Sequence, residues 1–334
     1  MRMRESVCFD DVLLVPQMSD IKSRKSVDLS VDLGSGIALG IPFISAPMDT
    51  VTGHRMASAM AEAGGLGVIH RYNSIEEQIS LFDKSKCFAA AAIGVTGDFA
   101  ERAESLADAG CKVLCVDVAH GHHISVKSAL KTLKSRLGNT VKIMAGNVAT
   151  LQAFEDLSDW GADMIRVGVG GGSICSTRLQ TGHGVPTLQS VIDCASSDRG
   201  ALIIADGGIK NSGDMSKALA AGADLVMMGR LLAGTEEAPG ETVQVNGKKC
   251  KVYRGMASPE AQVAWRGEYR SNEGVSRTVP FKGYAENILS ELERGVRSAL
   301  SYSGARTLKE FRAKADFIKQ SPLGRVESGT HIDI

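Results

Sequence analysis

The sequence predicts a single-domain (β/α)8 TIM barrel that takes up the whole chain, residues 1–334. Three observations carry that expectation. Short apolar runs recur eight times, each followed by a stretch of helical period. Glycine stops repeat at the ends of those stretches. Glycine-rich turns then follow the sixth, seventh and eighth runs, where barrel enzymes keep their chemistry.

The eight runs are Pro42–Met48, Gly67–His70, Ala89–Val95, Val113–Val118, Val141–Gly146, Met164–Gly168, Leu202–Ala205 and Leu225–Met228. They are apolar on both faces, as strands of a covered parallel sheet are. Between them His54–Ala63, Ile75–Phe82, Phe99–Ala109, Ser125–Leu137, Leu151–Leu157 and Gly213–Ala221 read as helices. Ala109–Gly110–Cys111, Trp160–Gly161–Ala162–Asp163 and Ala221–Gly222–Ala223–Asp224 echo one another as a weak internal repeat, with glycine ending each helix. A doubly wound sheet fits the same alternation. The count of eight and the chemical character of the strand-end loops favour the closed barrel.

Two segments interrupt the pattern. One is the loop Gly170–Val185 after the sixth run. The other, 231–283, follows the eighth run and contains the hairpin dipeptide Asn246–Gly247 and a polar stretch through Trp265–Arg270. They read as an active-site loop and a flap.

Composition narrows the class. With 38 basic and 38 acidic side chains, the chain offers no charge imbalance for nucleic acid or a membrane surface. No apolar run approaches the ~20 residues of a membrane span. Seven cysteines, an odd number with no C-x-x-C pair, point to a reducing compartment, and the reading is cytoplasmic.

The loop Gly168–Val169–Gly170–Gly171–Gly172–Ser173–Ile174–Cys175–Ser176–Thr177–Arg178 is the most informative stretch. Its glycines let backbone approach a ligand, and bared N–H or carbonyl groups there can hold an ion. Most cysteines pack as small hydrophobes. Cys175 stands among glycines and hydroxyls instead, as a nucleophile would. Thr177 is placed to relay a proton, and Glu273 is a candidate general acid. Asp206–Gly207–Gly208 and Gly229–Arg230, after runs seven and eight, suit a phosphate, with Ser173 adding a hydroxyl. His120–Gly121–His122–His123 reads as a ligand-contacting or solvated loop, because its spacing does not suit zinc.

These residues carry a family resemblance. The cysteine loop, with Thr181–Gly182–His183–Gly184–Val185–Pro186, is similar to the catalytic loop shared by IMP dehydrogenase and GMP reductase. The likeness extends to Phe9–Pro16, Met48–Val51, Gly146–Val148, Ile204–Gly208 and Tyr253–Met256, over nearly the whole chain. It implies a (β/α)8 barrel, usually a homotetramer, and a covalent cysteine adduct at carbon 2 of a purine nucleotide. Dehydrogenases of the family usually insert a CBS pair after the second strand. Here Ile75–Phe82 runs straight on to Ala89, which leaves no room for one.

The two enzymes diverge once the adduct has formed. The resemblance implies that the dehydrogenase passes hydride from IMP to NAD and hydrolyses the adduct to XMP, with an Arg-Tyr pair in its flap activating water. The reductase expels ammonia from GMP and takes hydride from NADPH to give IMP. Between Met256 and Glu273 no Arg-Tyr pair occurs in that order. The flap reads Gly267–Glu268–Tyr269–Arg270–Ser271–Asn272–Glu273–Gly274, similar to the reductase pattern. The expected enzyme is therefore an NADPH-dependent GMP reductase. The alternatives are an IMP dehydrogenase without CBS domains and, as a minor one, a nucleotide-binding barrel without catalysis.

The resemblance also implies site roles. Cys175, Thr177 and Glu273 are catalytic. Ser173, Asp206, Gly207, Gly208, Gly229 and Arg230 hold the phosphate end, while Met256, Ala257, Ser258, Arg270 and Gly274 lie near the base. Asp117, Val118, Ala119, Arg71 and Tyr269 contact the cofactor. Ser23, Arg24, Tyr302, Ser303, Gly304 and Ala305 reach the cofactor of a neighbouring subunit. By charge alone, apart from the resemblance, Arg24 and Arg71 are candidates to meet a 2′-phosphate, and charge does not settle the cofactor. A potassium ion takes backbone carbonyls from Gly170, Gly172 and Cys175. The tail Arg325–His331, closer to dehydrogenases, offers Glu327, Ser328 and Gly329 to the same ion from a neighbour. His120–Gly121–His122 and 235–241 also lean toward dehydrogenases. Gly171 replaces the usual proline or serine, and Ser176 often appears as threonine.

Overall fold

In a computed structural model of the chain, residues 3–329 are described. Eight parallel strands close into a barrel. We number them β1 (Phe43–Ser45), β2 (Leu66–Ile69), β3 (Ala89–Ile93), β4 (Val113–Asp117), β5 (Lys142–Val148), β6 (Met164–Val167), β7 (Leu202–Asp206) and β8 (Leu225–Met228). Each pairs with the next in sequence, and Val226 of β8 pairs with Phe43 of β1 to close the ring. β1, β2, β3, β6 and β8 are buried along their full length, which is why they read as continuous apolar runs.

The outer layer comprises α1 (His54–Glu62), α2 (Ile75–Ser85), α3 (Phe99–Asp108), α4 (Ile124–Leu137), α5 (Leu151–Asp159), α6 (Thr187–Cys194), α7 (Ser212–Ala220) and α8 (Ala285–Tyr302). Side-chain caps fix several starts. Ser74 and Glu77 form a capping box on α2, and Thr150 and Asn211 accept from backbone N–H groups of α5 and α7.

The repeated turns do more than stop helices. After α5 and α7, Gly161 and Gly222 take φ of +107° and +120°. Ala162 and Ala223 then donate back into the helix ends at 3.0 Å, as glycine-capped helices do. The aspartates after them reach sideways. Asp163 Oδ2 accepts from Ile143 N at 2.8 Å, and Asp224 Oδ2 accepts from Ile203 N at 2.8 Å. Each carboxylate thus fastens the start of the strand before its own. Lys134 and Lys142 flank Asp163, and Arg312 flanks Asp224.

The same end of the barrel is covered by the hairpin Val31–Gly34/Ile37–Leu39, whose Val31, Leu33 and Leu39 join the core. Val12–Leu14 pairs antiparallel with Phe317–Lys319 and brings the two ends of the chain together. The flap holds a three-stranded sheet, Thr242–Val245, Lys248–Arg254 and Ser276–Pro280. Its first turn is Asn246–Gly247, both at positive φ, as the hairpin dipeptide predicts. The flap also holds a helix, Pro259–Arg266, which runs into the polar stretch through Trp265–Arg270. Ser258 caps it, proline opens it, and Gly267 closes it in the left-handed region. Among the described residues no helix is long and apolar enough to cross a membrane.

Candidate active site

The C-terminal ends of the strands surround a cavity of about 730 Å3. Gly168 ends β6 at φ +143°, and a Cβ there would stand 2.0 Å from the Asp206 carbonyl oxygen. Only glycine lets these neighbouring strand ends lie so close. The cysteine loop begins there. Its two arms meet through a Val169–Val185 bridge, and the Arg178 guanidinium donates to both carbonyls, at 3.3 and 2.7 Å. The loop contains a short helix, Thr177–Thr181.

At the cavity wall the Cys175 thiol lies 3.2 Å from Thr177 Oγ1. The flap is sewn to this loop. Cys175 and Gly274 form an antiparallel bridge, Ser176 N donates to the Glu273 carbonyl at 3.0 Å, and Ser176 Oγ donates to the Asn272 carbonyl at 2.8 Å. Cys175, Thr177 and Glu273, about a hundred residues apart at the extreme, therefore line one cavity.

The cavity also takes in Ser173, Asp206, Gly207, Gly208, Gly229, Arg230, Met256, Ala257, Arg270 and Gly274, with Arg71, Asp117, Val118, Ala119, Gly170 and Gly172. Gly207 and Gly208 sit at φ +92° and +78°. Ser258 is fully buried beneath the wall. Its hydroxyl accepts from Ala261 N at 3.2 Å, so it supports the flap helix rather than facing the cavity. Tyr269 is exposed and off the cavity wall.

The remaining predicted residues form two groups outside the cavity. Ser23 and Arg24 adjoin Tyr302–Ala305, because Gln17 N donates to the Tyr302 carbonyl and Asp28 N to that of Arg306. Arg306 pairs with Asp20 at 2.9 Å across this patch, and the Tyr302 side chain is exposed. Two segments far apart in sequence thus lie side by side, with Ser23, Arg24 and Tyr302 exposed and Ser303, Gly304 and Ala305 buried. Glu327, Ser328 and Gly329 stand at the end of the helix Pro322–Glu327, where Arg325 pairs with Asp10 at 2.8 Å and Ser328 with Gln320. Thr330 and His331 lie outside the described residues. In the histidine loop, His122 pairs with Asp156 at 2.7 Å and stacks on Trp160, while His123 caps α4.

The sequence assigns no role to several site residues: Arg166 and Gln262 lie in no motif, while Asn147 and Tyr253 sit inside segments that carry the family resemblance. Arg166, on β6, is buried in the barrel mouth. It donates to Asp117 at 2.6 Å and to Asp206 at 3.1 and 3.0 Å. Burial opposes its charge, but Asp206, Cys115 and Asp117 outweigh that and hold the guanidinium more firmly protonated than usual. Asn147 donates to the same Asp206 oxygen at 2.8 Å. A predicted substrate residue and a predicted cofactor residue are thereby joined through one side chain. The one signal in the sequence is a lone arginine in an apolar strand. Gln262, also buried, donates to the Ala257 and Ser271 carbonyls and accepts from Arg270 N, which braces the flap. Tyr253 lies against Ser173, and burial pushes its hydroxyl up to about 12.

Comparison with known proteins decides the family. The IMP dehydrogenase / GMP reductase domain model matches residues 6–331. The chain belongs to this family. An inosine-5′-monophosphate dehydrogenase of Nitrosopumilus maritimus (strain SCM1) is 36% identical, with 99% of each chain covered. A GMP reductase of Leishmania major is 34% identical, covering 98% of this chain and 97% of that one. Those alignments run over 472 and 476 positions, more than this chain has residues, so both relatives carry residues that face gaps here. The shortness of this chain therefore does not separate the two activities. Among solved structures, a cysteine-to-alanine GMP reductase from Trypanosoma brucei in complex with guanosine 5′-monophosphate superposes with a TM-score of 0.94 at 31% identity, covering 99% of each chain. The fold is the (β/α)8 barrel of that enzyme. Family membership makes the protein an oxidoreductase acting at a purine nucleotide.

Proposed function

We propose that the protein is a GMP reductase, converting GMP to IMP and ammonia with NADPH. The observation that carries this reading is the flap. Gly274 pairs with the nucleophile's own backbone, and Glu273 arrives beside it without an Arg-Tyr pair between Met256 and Glu273. A threonine hydroxyl 3.2 Å from the thiol and a carboxyl group in the same cavity suit protonation of a departing amine.

The phosphate of GMP rests on Ser173, Gly207–Gly208 and Gly229–Arg230, and the base lies beneath Met256 and Ala257. The Cys175 thiolate forms a bond to carbon 2. Glu273, with Thr177, delivers the proton that lets nitrogen leave as ammonia. A reduced nicotinamide, when bound, would supply the hydride that carbon 2 accepts. Cleavage of the sulfur–carbon bond then frees IMP and restores the Cys175 thiolate. Asp117, Val118 and Ala119 line the same cavity and suit the nicotinamide end of the cofactor; Arg71, paired with Asp117 at 3.6 Å, belongs to that end and not to the distant 2′-phosphate. Arg166 holds Asp117 and Asp206 at a fixed separation.

The carbonyls of Gly170, Gly172 and Cys175 suit an alkali cation. Gly172 O accepts only the Cys175 N–H at 3.1 Å among the described residues, so a lone pair is left for an ion. Potassium would be held there, with a second copy of the chain completing the shell through its tail. A homotetramer fits both that requirement and the surface shared by Ser23, Arg24 and Tyr302.

The deciding assay offers the enzyme GMP with NADPH and, separately, IMP with NAD. Consumption of NADPH with release of ammonia is expected, and Cys175→Ala should reduce it to background while nucleotide binding persists. Formation of XMP with GMP inert would make the protein an IMP dehydrogenase.

A further inference from the structure

We propose that Tyr72 is a positioning residue that straps the flap over the cavity. It stands in the loop between β2 and α2 and lines the cavity. Its hydroxyl donates to the Met256 carbonyl at 2.8 Å. Its ring stacks on Trp265 of the flap helix, with centroids 5.9 Å apart and planes inclined by 15°. The Arg71 guanidinium lies 5.4 Å from the centroid of the same ring.

One side chain therefore touches three parts of the site. The Met256 carbonyl belongs to the turn over the expected base position, Trp265 belongs to the helix that carries the flap outward, and Arg71 stands at the expected cofactor end. Burial raises the pKa of the tyrosine, so it stays a neutral donor across the working range. The helix Pro259–Arg266 needs such a tie. Val263 and Trp265 are 46% and 37% exposed, so packing alone grips its outer face weakly. The other flap anchors are of a different kind. Arg254 pairs with Asp49 and donates to the Glu260 carbonyl at 3.4 Å near the start of the helix, and residues 272–275 pair with the cysteine loop. Tyr72 adds a direct contact from the barrel wall to the far end of the helix, at Trp265.

The proposal rests on the purine-nucleotide reading of the cavity, not on which reaction runs there. The chain has two tryptophans, so a Trp160→Phe background leaves Trp265 as its one indole reporter. In that background, acrylamide quenching is compared for Tyr72, Tyr72→Phe and Tyr72→Leu without ligand, and the affinity for GMP and for IMP is measured by calorimetry. Tyr72→Phe, which keeps the ring, should weaken nucleotide binding about three- to tenfold, as loss of one neutral hydrogen bond does. Tyr72→Leu should also expose Trp265 to quencher, with the circular dichroism spectrum and melting temperature held. Unchanged quenching in Tyr72→Leu, or unchanged affinity in Tyr72→Phe, would overturn the strap. If the parent binds neither nucleotide, the purine reading fails, while quenching still decides whether Tyr72 holds the helix.

Discussion

Arg166 grips the carboxylate of Asp206 with two nitrogens, at 3.1 and 3.0 Å, inside the mouth of the barrel. The same guanidinium reaches Asp117. Replacing it with methionine strands Asp206 without a cation among the described residues and leaves Asp117 only Arg71, 3.6 Å away. We expect Arg166→Met to lose about 3–5 kcal/mol of stability in chemical denaturation. Arg166→Lys should recover part of that but little activity, because an ammonium lacks the fork that spans both acids. A methionine variant as stable as the parent would show that the two aspartates find another partner.

Glu273 offers a test of the acid. Removing a positioned general acid typically costs about 10²–10⁴-fold. Glu273→Gln should slow ammonia release by that order in rapid-quench single turnovers, and hydride transfer far less. Equal slowing of both steps would assign Glu273 to holding the flap, and an unchanged rate would point to a different acid.

His70, deep at the end of β2, predicts a pH effect on stability. Burial lowers its pKa first. Asp49 and Glu77 pull the other way, and Arg254 reinforces burial. Its Nδ1 is buried without a hydrogen-bond partner among the described residues. The folded chain thus resists a proton that the unfolded chain accepts near pH 6.5. Stability should be full above that value and fall as pH drops below it. Melting temperatures taken from pH 7.5 to 5 should decline more steeply for the parent than for His70→Gln. Parallel curves would remove His70 from the effect.

The barrel is legible in the sequence because burial on both faces leaves a plain signature. Each of the eight apolar runs contains or overlaps a strand, and glycine stops mark the turns before β6 and β8. The longest helix, α8, is not among the helices read from the sequence, although Ala285, Leu289, Leu292, Val296 and Leu300 form a regular apolar stripe in an otherwise charged segment, with Gly295 beside it. That glycine exists because Ser212 of α7 presses where a side chain would go, 2.2 Å from a built Cβ. No local pattern announces such a contact. The strand Val12–Leu14 is equally hidden, because its partner Phe317–Lys319 lies at the far end of the chain. Within the site, motif residues can be read one loop at a time. Arg166, Gln262 and Tyr72 cannot, because each matters through partners that only the closed ring brings near.

The aspartates of the repeated turns, Asp163 and Asp224, have a further consequence. They rivet adjacent strands at the mouth opposite the cysteine. The lower rim carries those fastenings, and the upper rim carries reactivity. Strain or motion in the loops and flap above is thereby taken up without loosening the staves beneath, whose ends stay bound by backbone-to-carboxylate ties.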